Sequence, residues 1–351
     1  MRSAARVGFL ALCIAAAGCD RAPRFKTGEA DSTATIPADS NAIYVQLARD
    51  RWGDPDLGQE AADLSARVVL QALRNQSSEP IAARTRELLD SLVFGAETAG
   101  DRGFVVANLF ARSNPSVGSY PYLFWREGEA TRYQSLDAGG MHLVGAIDEE
   151  TAVGSGKRVA VLFTRVGPSG QQPFAYVWQL PPGGDTWRLA QSLGADSLGS
   201  VGSGRFVSPG SDGVVLESRA TVPARGFDEC STCPHVYRLR RFRWGPAGLV
   251  MASEEVESSP YYAFVQLIQA LAAGDRDAAL RWVADPSLAD AAIGYEWGKS
   301  KGPWRLAPGN SPNARDLLLF RGNQEAYRVH FGPRGDDWVV TGFEPSSRNI
   351  E

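Results

Sequence analysis

Between residues 103 and 257 the chain alternates short apolar runs with clusters of Gly, Pro, Ser and Asp, and that spacing limits the fold more than any other feature. The runs are 104–112, 120–126, 141–147, 158–166, 174–180, 213–219, 235–244 and 249–256. Apolar stretches of strand length, bounded by turn residues, predict strands. No helical crossover separates them, so they pair antiparallel. The 37 glycines and 21 prolines supply the turns. Such spacing fits an antiparallel sandwich, an open barrel or part of a propeller. No clean internal repeat is visible, and about 150 residues is short for a closed propeller, which favours the sandwich or barrel.

Helical patterns flank this region. Leu64, Val68 and Leu73 fall near one face of a segment from Gln59 to Leu73. Pro80 can open a second helix, because its missing N–H costs nothing in a first turn, and Gly95 can end it. The fold class expected is therefore α+β: a strand-rich antiparallel sandwich or open barrel preceded by two helices, with a small C-terminal α+β domain. The segments expected are a signal peptide at 1–18, a lipidated cysteine and flexible tether at 19–41, the helical segment with the β-rich domain at 42–257, and the C-terminal domain at 258–351.

In that last domain Pro260 opens a helix. Tyr261, Phe264, Val265, Ile268, Leu271 and Ala272 form its buried stripe. Gly274 can end it, and Asp275 can cap a second helix carrying Ala279, Leu280, Trp282 and Val283. Strands follow at 316–320, 326–331 and 338–343. The run AFVQLIQALAAGDRDAALRWVAD resembles the opening helices of the cone-shaped α+β superfamily that contains ketosteroid isomerases and nuclear transport factor 2. The resemblance implies helices packed on a curved sheet that encloses a pocket.

The first 19 residues, MRSAARVGFLALCIAAAGC, set an address. Arg2 and Arg6 precede an uncharged stretch from Val7 to Ala17, which as a helix spans about 16 Å. A bilayer core needs about 30 Å, so this is a signal sequence and not a membrane span. Ala16, Ala17, Gly18 and Cys19 resemble the lipobox of bacterial lipoproteins, with Ala16 where that family favours Leu. The resemblance implies cleavage before Cys19 and acylation there with palmitate-type chains. It is preferred over an ordinary secreted protein cut near Ala17. Each buried methylene contributes about 0.8 kcal/mol, so two or three chains anchor stably where one does not. Asp20 resembles an inner-membrane retention signal, a rule that varies between lineages. Residues 20–41 are rich in Ala, Pro, Ser, Thr and Asp, a composition for a flexible tether. The expected location is the bacterial cell envelope, lipid-anchored to the inner or outer membrane, with the globular part in the periplasm.

Removing residues 1–18 takes Arg2 and Arg6 and no acid, so the net charge moves from −4 to −6. An acidic chain gains nothing from the counterion release that drives nucleic-acid binding, and that partner is set aside. Of four cysteines, Cys13 leaves with the signal and Cys19 takes the lipid. Cys230 and Cys233 remain, in CSTCPH. Export places them where a CxxC pair closes into a disulfide. Redox activity and metal binding stay open beside it. A c-type haem is out of register, because Pro234 separates Cys233 from His235. A low-pKa thiol wants a helix N-terminus, whereas a strand follows here. Zinc would need a fourth ligand besides the two thiolates and His235.

Four other features bear on chemistry. In YRLRRFRW, 237–244, Phe242 and Trp244 share a face with Tyr237 and Leu239 only if the strand bulges near Arg240–Arg241. The arginines then form either an anion-binding strip or a solvated face opposite Glu217, Glu254 and Glu255, and the second is preferred. YPYLFW, 120–125, is apolar on both faces and reads as core before it reads as a sugar platform. Alternation puts His330 with Arg328 away from Tyr327, Val329 and Phe331, which argues against a catalytic role. Gly154-Ser155-Gly156-Lys157 lacks the spacing of a phosphate loop and reads as a hairpin turn. No nucleophile elbow, zinc-protease motif or carboxylate dyad stands out, and no catalytic residue, cofactor or metal site is assigned. The expected function is a non-enzymatic, membrane-anchored binding or assembly module, held by lipid and partnered by an envelope protein. The alternatives are a ligand-binding or catalytic cone domain, and a thiol redox protein using Cys230 and Cys233.

Overall fold

A computed structural model describes residues 39–52, 54–74, 80–90, 95–101, 103–110, 118–149, 156–229, 235–307, 311 and 313–347. Its sixteen described strands fall into four antiparallel sheets of four, each a meander in chain order. The first holds β1 (Gly95–Gly100), β2 (Phe104–Phe110), β3 (Tyr120–Glu127) and β4 (Ala130–Ser135). The second holds β5 (His142–Asp148), β6 (Lys157–Gly167), β7 (Gly170–Leu180) and β8 (Arg188–Leu193). The third holds β9 (Gly202–Phe206), β10 (Val214–Val222), β11 (Val236–Gly245) and β12 (Gly248–Val256). The fourth holds β13 (Trp304–Leu306), β14 (Asp316–Arg321), β15 (Glu325–Arg334) and β16 (Asp337–Pro345). The described helices are α1 (Asp39–Trp52), α2 (Gly58–Arg74), α3 (Ile81–Asp90), α4 (Ala195–Leu198), α5 (Pro260–Ala272), α6 (Arg276–Leu280) and α7 (Pro286–Gly294). The protein is thus strand-rich α+β. Helices α2 and α3 are the two read from the sequence, and α1 precedes them.

The period-two rule explains how the sheets stack. On β2, Val105, Ala107 and Leu109 join Tyr122 and Phe124 of β3 against α2 and α3. The alternate residues, Phe104, Val106, Leu123 and Trp125, meet Val159, Val161, Phe163 and Trp178 of the second sheet. The other face of that sheet, Ala160, Leu162, Ala175 and Val177, meets Val215, Leu216, Phe242 and Leu249 of the third. Two sheets are therefore buried on both faces. The strand-rich region has three stacked sheets and two inter-sheet cores, where a sandwich has two sheets and one core. The first strands β1, β5 and β9 are neighbours, and β8 and β12 meet at the opposite margin.

Side chains tie each sheet to the next one's backbone. Gln134 on β4 donates from Nε2 to Trp187 O and accepts from Trp187 N–H, both at 2.8 Å. Gln191 on β8 does the same to Leu249, at 2.8 and 2.7 Å. At the first strands, Glu97 Oε2 accepts from Leu143 N–H at 2.6 Å and from Asn108 Nδ2 at 3.0 Å, while Oε1 lies 3.0 Å from His142 Nδ1.

The stack stops at the third sheet because its far face is charged. Arg205 and Arg241 both meet Glu217, at 2.6 and 3.4 Å, and Arg241 reaches Glu255 at 2.8 Å. One end of this sheet, through Val222, Val236 and Val256, joins the core of the C-terminal part. That core lies between α5–α7 and the fourth sheet. Ser259 caps α5 by accepting from Tyr262 N–H at 3.0 Å, with Pro260 at the first helical position. Asp275 caps α6 at Ala278 N–H, 2.9 Å, as its place after Gly274 implies. The segment between β10 and β11 reaches this sheet as well. Phe227 bridges Trp304, and Asp228 N–H donates to Trp304 O at 2.7 Å.

Candidate functional site

The C-terminal interior is where a pocket was expected, and one side chain fills it. Trp297 sits in the turn after α7 and is 1% exposed. Its ring centroid lies 4.3 Å from Phe343, 5.1 Å from Tyr327, 5.4 Å from Trp304 and 5.6 Å from Phe264. These rings come from α5, β13, β15 and β16, so a single turn completes a box drawn from the whole domain. Glu296, just before the tryptophan, has φ +59, the one positive φ at a non-glycine among the described residues. Left-handed backbone at such a residue costs about 1–2 kcal/mol.

Arg321 holds that turn. Its side chain is fully buried. Nη1 donates to Tyr295 O at 3.3 Å and to Glu325 at 3.1 Å. Nη2 donates to Glu296 O at 2.5 Å and also to Lys299 O. The guanidinium carbon stands 5.4 Å from the centre of the Trp304 ring. A buried charge persists only with such partners. Outside this turn lies an open cleft of about 480 Å³, lined in part by Asp228, Lys301, Arg305, Arg321 and Glu325. Lys301 reaches Glu296 at 3.0 Å and Glu325 at 3.2 Å. With Lys299 as the larger influence and Lys301 second, the Glu296 carboxyl is held down at about 2.

Cys19, Cys230 and Cys233 lie outside the described residues, as do Gly154 and Ser155. The residues on either side of the CSTCP segment are placed. Glu229 Oε2 lies 3.3 Å from His235 Nδ1, and Tyr261 donates its hydroxyl to Glu229 Oε1 at 3.0 Å. Both members of the Glu229–His235 pair are shielded, at 11% and 14% side-chain exposure. Burial first, and the Glu229 carboxylate second, push the Tyr261 hydroxyl far above its ordinary pKa, so it stays a donor.

The remaining sequence candidates resolve as follows. The register shift in the arginine strand falls between Arg241 and Phe242, and the extra residues are Ala252 on β12 and Val215 on β10. Arg240 pairs with Glu254 at 2.7 Å and donates to Ser197 O, Arg238 meets Glu254 at 3.5 Å, and Arg241 joins the Glu217–Glu255 row. The arginine strand itself carries no extra residue, so the bulge expected in it lies in its neighbours, and alternation puts Arg238 and Arg240 on the Phe242 face and Arg241 on the other. The arginines are ion-paired with Glu217, Glu254 and Glu255, as preferred from the sequence, but on two faces and not in one strip. Tyr122, Leu123, Phe124 and Trp125 are core. Tyr122 donates to Asp63 of α2 at 2.5 Å. His330 is paired across strands with Asp316 at 2.5 Å, while Tyr327, Val329 and Phe331 point into the core. Lys157 begins β6 and donates to Arg126 O at 3.3 Å. Trp297 and Arg321 were not singled out in the sequence. The one available signal was Trp297 in a Gly-bounded turn between a helix and a strand.

No protein-family profile and no characterised protein matches the chain. Among solved structures, a mutant of the Aleuria aurantia lectin in complex with Fucα1-6GlcNAc aligns over 72% of this chain and 62% of its own, at 12% identity and a TM-score of 0.24. At that score the likeness carries no argument about fold or ligand. No helix among the described residues is long and apolar enough to cross a membrane.

Proposed function

We propose that the protein is an envelope lipoprotein acting as a non-enzymatic binding or assembly module, tethered through Cys19 to the inner or outer membrane. The observation that carries the non-enzymatic part is Trp297. It occupies the space between helices and sheet where a cone-shaped catalytic domain keeps its substrate, and the box around it is aromatic throughout. A catalytic pocket needs convergent polar groups around room for a substrate. The address rests on the lipobox-like Ala16-Ala17-Gly18-Cys19 and on the tether-like composition of the residues between it and α1, which begins at Asp39, inside the 20–41 stretch expected as tether. On this reading 258–351 is a small α+β domain of the cone-shaped type with its interior filled.

The Cys230–Cys233 pair serves as a structural disulfide in this account. Glu229 adjoins the first thiol in the chain, and a neighbouring carboxylate disfavours the thiolate that a redox site requires. Mild dithiol treatment of the native protein is expected to leave the bond closed, and ready reduction supports the redox alternative instead.

Reciprocal purification from the native envelope tests the function. A tagged chain is expected to recover one envelope protein at fixed stoichiometry, and a tag on that protein to recover this chain. A chain purified alone and retaining a small molecule contradicts the assembly reading.

A further inference from the structure

The turn that carries Trp297 has the construction of a plug. It is at the surface, with Tyr295 43% exposed and Lys299 exposed. Tyr295 lies with its ring 5.8 Å from both Tyr327 and Phe343, the two rings that Trp297 approaches most closely from inside. The box is therefore close to the surface at this corner, where Phe343 is half-buried and Tyr295 is exposed. The turn is strained at Glu296 and is held by the side chain of Arg321 through three carbonyl oxygens. Arg321 Nε is buried without a partner, so the pin itself is incompletely satisfied. Strain in the turn at Glu296, and an orphaned donor on the β14 side chain that pins it, are features found where a segment has a second state.

We infer that the box formed by Phe264, Trp304, Tyr327 and Phe343 is a binding site for a planar aromatic group of indole size, occupied in this state by the chain's own Trp297. Four rings at these distances present faces and edges to any flat guest, which is the geometry aromatic pairs favour. Apparent affinity for an outside guest is the intrinsic affinity reduced by the fraction of chains with the plug withdrawn. Loosening the pin raises that fraction, and removing the plug raises it to one. This inference does not depend on the anchor, since it concerns the C-terminal interior alone.

The test is thermal unfolding of the full mature chain as wild type, Trp297→Ala and Arg321→Met, titrated with indole and, separately, with N-acetyl-tryptophanamide. Trp297→Ala is expected to gain melting temperature saturably with indole. Arg321→Met is expected to show the same shift at about tenfold or more higher concentration, and wild type to respond least. A matching response to N-acetyl-tryptophanamide identifies a ring carried on a partner's backbone as the guest. A response to indole alone identifies a free small molecule. If Trp297→Ala does not fold, Arg321→Met decides by itself. A folded Arg321→Met that ignores both probes overturns the inference, as does a wild type that shifts as much as the variants.

Discussion

Gln134 and the backbone of Trp187 are joined by two hydrogen bonds of 2.8 Å, one in each direction, so that one side chain does what a neighbouring strand would do for that residue. Gln191 repeats the arrangement on Leu249 in the next sheet. Either glutamine replaced by Ala leaves a backbone N–H and C=O without their partner, at a cost of about 1–3 kcal/mol. Urea unfolding of Gln134→Ala and Gln191→Ala is expected to show losses in that range, adding to within about 0.5 kcal/mol in the double variant. On β12, Ser253 follows the extra residue Ala252 just as Gln191 follows the extra residue Ala190 on β8. Among the described residues no further stacked sheet lies beyond β12, so Ser253→Ala is expected to change stability by less than about 0.5 kcal/mol.

Glu97 performs the equivalent task at the first strands, where its carboxylate gathers Leu143 N–H, Asn108 and His142. Glu97→Ala is expected to cost about 2 kcal/mol, in line with hydrogen bonds to a charged acceptor. Amide hydrogen exchange is expected to accelerate at Leu143 before it does in β6 or β7. Unchanged protection at Leu143 contradicts this role.

Much of the stack was legible, and four of its six margin strands were not. The strands read from the sequence are β2, β3, β5, β6, β7, β10, β11 and β12, of which β2, β3, β6 and β7 lie between two layers and are apolar on both faces. The margin strands β1, β4, β8 and β9 read GAETAG, ATRYQS, RLAQSL and GSGRF, with little apolar character, since they are largely half-buried or exposed. A trace of repetition was present: Gln-Ser-Leu occurs at 134–136 and again at 191–193, at the two clamp positions. In the C-terminal part the helix signals Pro260, Gly274 and Asp275 act as their chemistry implies. Trp297 and Arg321 escaped because neither belongs to a periodic pattern. A turn tryptophan and a strand arginine become the centre of a core only when distant segments close on them.

Arg321 is a fully buried charge and is costly to disturb. Arg321→Ala frees the carbonyls of Tyr295, Glu296 and Lys299 and strips Glu325 of a buried partner. Breaking a buried ion pair typically costs about 3–5 kcal/mol, and denaturant midpoints are expected to fall accordingly. A loss under 1 kcal/mol, about the value of a surface pair, contradicts the pinning role.

Acid sensitivity follows from the depressed carboxylates. Lys299, and Lys301 after it, hold Glu296 at about 2. Arg205, with Arg241 adding to it, lowers Glu217. In the unfolded chain these groups titrate near about 4.3, so the unfolded state takes up protons first as pH falls. Their contribution is present above that value and is lost on the way down to about pH 2. Stability is expected to be level above about pH 5 and to decline below it, less steeply in Glu296→Gln. An unchanged slope in that variant, followed by urea unfolding at stepped pH, contradicts the assignment.

The location and function proposed above both depend on one covalent event, acylation at Cys19. Intact mass spectrometry of the mature chain, recovered from its native membranes, examines it without an assay. The account predicts a chain beginning at Cys19 and heavier than its peptide mass by the diacylglyceryl group, with or without an N-acyl chain. A mature chain of bare peptide mass, cut elsewhere and recovered without lipid, contradicts it.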